Sequence, residues 1–143
     1  MVHIRAFLTI TFFIWLIPLI AEDGSEPSTI VLTDKIDHYV LSKSLDIFED
    51  TTGKLTIEDI VKEKWQKKFK KSREKKPNFG YSKSTFWARF QLQNESLEQN
   101  NWLLSHHYYL QDEIELFRKK DNGKWIGSKT GDMQPFSSRE VEA

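Results

Sequence analysis

A mainly β fold built around a layered sheet is predicted for this chain by three observations. Residues 86–93 alternate strictly, turn chemistry separates three consecutive alternating segments, and only one stretch carries helical periodicity. Phe86, Ala88, Phe90 and Leu92 interleave with Trp87, Arg89, Gln91 and Gln93. That is the pattern of a half-buried strand with one apolar and one mixed face. The three segments read FGYSKSTFWARFQLQN from Phe79, NNWLLSHHYYLQDEIELF from Asn100 and GKWIGSKTGDMQPF from Gly123. At 143 residues there is room for one domain, and with 38% apolar and 13% aromatic residues it can bury a real core.

The elements follow in chain order. Met1–Arg5 carries one positive charge, and Ala6–Ala21, AFLTITFFIWLIPLIA, is an almost unbroken apolar run. Its length suits a secretory leader better than a membrane-spanning helix, which needs about 20 residues. Pro18 would break a helix ahead of a cut after Ala21, although Leu19 is large for the third position before it. Residues 1–21 are therefore read as a signal peptide, with a retained N-terminal anchor and a buried core helix as the other readings. Residues 22–37 form a linker and first strand, with Ile30–Leu32 and then Ile36–Leu41 as candidate strands. Leu45–Phe48 is a further strand before the turn Glu49-Asp50-Thr51-Thr52-Gly53. Thr56 with Asp59 three residues on is a capping-box start. Ile57, Val61, Trp65 and Phe69 then lay an apolar stripe along one amphipathic helix near 57–71, and Pro77 stops any continuation. Asn94–Asn101 is a polar loop, and Asp121-Asn122-Gly123 is a hairpin turn offering positive φ.

Charge excludes more than it selects. Lys+Arg and Asp+Glu number 21 each, so net charge predicts no nucleic-acid partner. Loss of residues 1–21 would remove only Arg5 among the charged side chains and leave the remainder near neutral. No cysteine is present, which rules out disulfides, thiolate metal sites and a Cys nucleophile. The one biased stretch is Lys62–Lys76, with nine basic residues against Glu63 and Glu74. A solvated helix face is the favoured reading, ahead of a patch for anionic lipid headgroups or a polyanion.

No catalytic constellation emerges. Asp112, Glu113, Glu115 and Asp132 lie near strand ends with nothing to pair them for acid–base work, and Asp112 reads as the turn residue opening the strand Ile114–Phe117. Neither a nucleophile elbow, a phosphate loop nor a dinucleotide fingerprint is present, so no enzyme and no cofactor is expected. His3 and His38 are isolated, and His106-His107, as neighbours on a strand, point to opposite faces and cannot chelate one ion together; no metal is expected. Asn94-Glu95-Ser96 matches the glycosylation tripeptide, a common coincidence. Rings remain: Trp87, Tyr108, Tyr109 and Trp125 lie on or beside strands, and Arg89 shares a strand face with Trp87. Flat rings beside a planar guanidinium suit a sugar or an organic acid, through stacking and bidentate hydrogen bonds. Trp87, Arg89, Tyr108 and Asp112 are the candidate ligand-binding residues. A role in the core is the stronger reading for most of the rings, with Arg89 bridging strands.

An ordered set of motifs goes further. Phe48-Glu49-Asp50 and Leu55-Thr56-Ile57 precede Phe79-Gly80-Tyr81-Ser82, then Ser84-Thr85-Phe86-Trp87 with Arg89, Phe90 and Asn94. Trp102-Leu103-Leu104, Asp112 with Ile114 and Leu116, Gly131-Asp132 and Pro135-Phe136-Ser137-Ser138-Arg139 follow. Over about residues 38–140 the chain resembles the second type of extracellular sensor domain of bacterial seven-transmembrane receptors with diverse intracellular signalling modules, and residues 38–143 are read as a partial domain of that type. The resemblance implies a β jelly-roll, a β-sandwich related to carbohydrate-binding modules, lying outside the membrane in the periplasm. It implies a small-molecule or carbohydrate ligand and, as a further partner, a membrane receptor. Members of the family continue beyond the Pro-Phe-Ser-Ser-Arg motif with more strands and then membrane helices. The chain is thus expected to be an incomplete jelly-roll of marginal stability. The alternative to ligand sensing is a structural or interaction remnant that pairs its strands with a partner chain.

Overall fold

The computed structural model describes residues 3–10, 26–72, 74, 77–106, 112–135 and 137. Among the described residues, seven strands form one curled half-barrel sheet: β1 (His3–Ile10), β2 (Thr29–Leu32), β3 (Asp46–Asp50), β4 (Lys70–Lys71), β5 (Thr85–Asn94), β6 (Glu113–Lys119) and β7 (Trp125–Thr130). Their order is β4-β3-β5-β1-β6-β7, with β2 paired to β5. The mainly β expectation is met, and the curled sheet is consistent with a jelly-roll.

β5 organises the rest. Its aromatic and β-branched opening, Thr85-Phe86-Trp87, suits a pleated, packed surface. β3 runs antiparallel to its first half, from Asp46 opposite Arg89 to Asp50 opposite Thr85. β2 runs parallel to its second half, Thr29 opposite Gln91 through Leu32 opposite Asn94. β1 pairs in parallel with β5 from His3 opposite Thr85 to Ile10 opposite Leu92, and in parallel with β6 on its other side. An apolar run has the composition of a leader and of a strand flanked on both sides by others, so the leader reading and the strand reading draw on the same residues.

The mixed face of β5 is covered as well as the apolar one. Trp87 packs with Ile57, Ile60, Phe69 and Phe117 in the core, while Phe86 and Phe90 are buried on the opposite face and Phe86 stacks on Phe79 at 4.0 Å. A roof explains the difference from a half-buried strand: the segment between β3 and β4 folds over the Trp87 face. That segment is not one helix. It forms α1 (Ile57–Ile60) and α2 (Glu63–Gln66), separated where Lys62 turns extended at ψ 140°. The Gln66 side-chain amide donates to the Ile60 carbonyl at 2.6 Å and satisfies the end of α1. The break puts Val61, expected in the apolar stripe, 38% exposed, while Ile57, Ile60 and Phe69 stay inside. At its start the sequence signal holds: the Thr56 amide and hydroxyl both reach the Asp59 carboxylate at 3.3 Å.

Two further expectations change. Ile36–Leu41 is not a strand; Thr33 begins a turn, its amide donating to the Tyr39 hydroxyl at 2.8 Å, and a 3₁₀ turn follows at Leu41–Ser44. The alternating segment from Asn100 is a strand only from Glu113 among the described residues, where Asp112 was read as opening it, and 101–106 are irregular. Beyond β6 the hairpin is as read. Gly123 takes φ 80°, and the Lys120 amide donates to Lys124 across the turn. No helix among the described residues is long and apolar enough to cross a membrane.

Candidate functional site

Trp87 and Arg89 do come together, but inside the protein. Both are 0% exposed. The Arg89 Nε donates to Asp46 Oδ2 at 3.0 Å, and Nη2 lies 3.0 Å from the same oxygen. Nη1 donates to the Gln66 side-chain oxygen at 2.6 Å and to its backbone carbonyl at 3.3 Å. The guanidinium also sits 4.6 Å from the Phe69 ring centre. Every nitrogen is thus engaged in tying β5 to β3 and to α2, the strand-bridging role that the sequence also allowed. Trp87 stacks near Phe117 at 5.9 Å, and Trp125 packs at the edge of the same cluster.

Asp112 is half-buried just before β6, where its carbonyl accepts the Met133 amide at 3.1 Å. Gly131 crosses so close that a Cβ there would sit 2.5 Å from the Asp112 carbonyl oxygen. Asp112 therefore opens the strand as expected. Tyr108, Tyr109 and His107 lie outside the described residues. His38 and His106 are exposed.

A different cluster of rings and polar groups is assembled at the far end of β5. The Trp102 indole N–H donates to Asn94 Oδ1 at 3.2 Å, and its ring meets Tyr39 edge-on at 5.7 Å. Asn94 Oδ1 also accepts the Ser96 amide, and its amide nitrogen donates to the Gln99 carbonyl at 3.0 Å. Asp34, more than sixty residues away in sequence, holds the other side of this loop. It accepts the Ser96 hydroxyl and the amides of Leu97 (3.0 Å) and Glu98 (3.2 Å). These donors, the Ser96 hydroxyl foremost and then the Leu97 amide, hold the Asp34 carboxyl below the usual carboxylate range. The loop is therefore pinned at both sides while presenting Leu97 and Leu103, 92% and 72% exposed.

Trp102 and Tyr39 are both half-buried, beside hydrogen-bonding groups. A half-buried indole with fixed polar neighbours can stack an apolar ring face and bond its edge, and loops on a rigid sheet end are common sites for this. Asn94 and Trp102 are visible in the sequence as members of the ordered motif set. Their pairing with Tyr39 and Asp34 is not, because those two precede β3 and reach the loop only through the pairing of β2 with the end of β5.

A family model described as 7TMR-DISM extracellular 2 matches residues 42–143. Among curated proteins, nothing matches the chain.

Proposed function

The chain belongs to the 7TMR-DISM extracellular 2 family, extracellular sensor domains of seven-transmembrane receptors, and on that premise we propose that it binds a small-molecule or carbohydrate ligand without turning it over. Such a family implies a place outside the cytoplasm. The periplasm is the compartment proposed, with residues 6–21 either cleaved off as part of a leader or holding the domain at the inner membrane, and with a membrane receptor as the partner.

The ligand is assigned to the Tyr39–Asn94–Trp102 cluster rather than to Trp87 and Arg89. One observation carries this: Trp102 is half-buried and oriented by its bond to Asn94, whereas the guanidinium of Arg89 is spent on Asp46 and Gln66. The test is a thermal-shift screen of the full chain against monosaccharides and small carboxylates. A stabilising shift that vanishes in Trp102→Ala and persists in Asp112→Asn supports the assignment. The reverse pattern moves the site to Asp112. No shift with any compound overturns the ligand-binding reading.

Strand pairing with a partner chain is the second reading. It is favoured by the position of β1, because the gap between β5 and β6 accepts an extended apolar segment along both edges.

A further inference from the structure

We propose that the Lys62–Lys71 surface docks the domain on an anionic lipid bilayer, an inference that rests on the extracytoplasmic receptor-domain reading but not on the ligand. The neutral total conceals a charge separation. Between Lys62 and Lys76 nine basic residues face two acidic ones, leaving +7 in fifteen residues; the remainder of the chain, with twelve basic and nineteen acidic residues, carries −7. Opposite charge gathered in separate parts of one molecule orients it at a charged surface.

In the described part of this stretch, Lys62–Lys71, the fold keeps the charge exposed and largely unneutralised. Lys62 pairs with Asp59 at 2.7 Å and Lys67 with Glu63 at 2.6 Å. Lys64, Lys68, Lys70 and Lys71 are all exposed, and none of them pairs with a carboxylate among the described residues. Eight consecutive residues carry all four, along α2 and into β4, the edge strand of the sheet. A lysine-bearing edge also discourages strand-to-strand aggregation, which accounts for Lys70 and Lys71 but not for the charge on α2.

Trp65 supplies the second observation. Its half-buried ring packs on Phe48 at 5.5 Å, and the ammonium groups of Lys68 and Lys64 lie 4.5 and 5.3 Å from its centre. An amphipathic ring ringed by ammonium groups fits the boundary between headgroups and acyl chains. A dissolved polyanion would use the lysines and have no use for the indole. A domain of a membrane receptor's extracellular portion also works beside a bilayer.

Co-sedimentation of the full chain with vesicles tests the proposal, comparing phosphatidylcholine alone with phosphatidylcholine containing phosphatidylglycerol. Residues 6–21 are apolar and contribute equally to both, so the difference reads the lysine surface. The expected result is at least about tenfold stronger partition onto the anionic vesicles, since each lysine near such a surface adds roughly fivefold. The preference falls as salt is raised. Replacing Lys64, Lys68, Lys70 and Lys71 together with Gln, with an unchanged circular dichroism spectrum, brings binding down to the neutral-vesicle level. Equal binding to both vesicles, or an anionic preference that survives the fourfold variant, overturns the proposal. So does complete competition by soluble glycerol phosphate, which would make the surface a small-anion site. The ligand screen above, read through Trp102, can fail or succeed independently of either result.

Discussion

Arg89 donates from all three guanidinium nitrogens to Asp46 and Gln66, and this saturation, rather than its residue type, decides what it does. Lys cannot reproduce a planar fork, so Arg89→Lys is no conservative change here. Arg89→Ala leaves the Asp46 carboxylate buried without its cation and is expected to cost about 3–5 kcal/mol of unfolding free energy in urea titrations. Asp50 works at the same scale through a neighbouring hydroxyl and backbone amides. Burial alone would raise its carboxyl, but the Thr52 hydroxyl at 2.6 Å, the Leu55 amide at 3.0 Å and the Thr52 amide at 3.0 Å outweigh it and hold the group below the ordinary value of 3.8. A lowered folded value means the stabilisation is complete above 3.8 and is lost as pH falls through the folded value. The melting temperature should therefore decline on acidification below 3.8, and Asp50→Asn should flatten that decline while lowering the melting temperature at neutral pH.

At the scale of elements, caps and close approaches set the boundaries. The alternation of residues 86–93 was sufficient to locate β5, because a period of two leaves little else for the chain to do. The helical stripe was a weaker guide. Spacing by four fits a continuous helix, yet a sheet that curls under it is better covered by two short turns with a bend at Lys62, and no local signal marks that bend. Thr56→Ala removes the hydroxyl at the head of α1 and should destabilise by about 1 kcal/mol in thermal or urea melts. Gly131 is needed for a different reason. It adopts φ 130°, and any Cβ would meet the backbone of Asp112 and Glu113, which cannot swing aside as a side chain would. Gly131→Ala should cost about 1–3 kcal/mol, visible as a lowered denaturation midpoint, whereas Gly123→Asn in the open hairpin turn should be nearly neutral.

For the whole molecule, β1 is the element on which cohesion turns. It lies between β5 and β6, and these two strands meet through it rather than directly. Deleting residues 1–21 therefore exposes two strand edges at once and removes the link to the β6–β7 hairpin. Residues 22–143 should melt at a lower temperature and less cooperatively than the full chain, as differential scanning calorimetry would record. An unchanged, cooperative melt would mean that the hairpin docks on β5 without β1. A cut after Ala21 would remove β1, so the leader reading and the strand reading of this segment exclude one another.

The amino-acid order alone determined the β character, the position of β5, the Thr56 and Gly123 boundaries and the family to which residues 42–143 belong. Each of these rests on local periodicity, local capping or an ordered set of motifs, all of which are written within a few residues. Tertiary structure alone decided that Trp87 and Arg89 are buried beneath a roof, and that Tyr39 and Asp34 join Asn94 and Trp102. Those outcomes depend on which segments the curled sheet brings over one another, and burial and partnership are properties of that arrangement rather than of spacing along the chain.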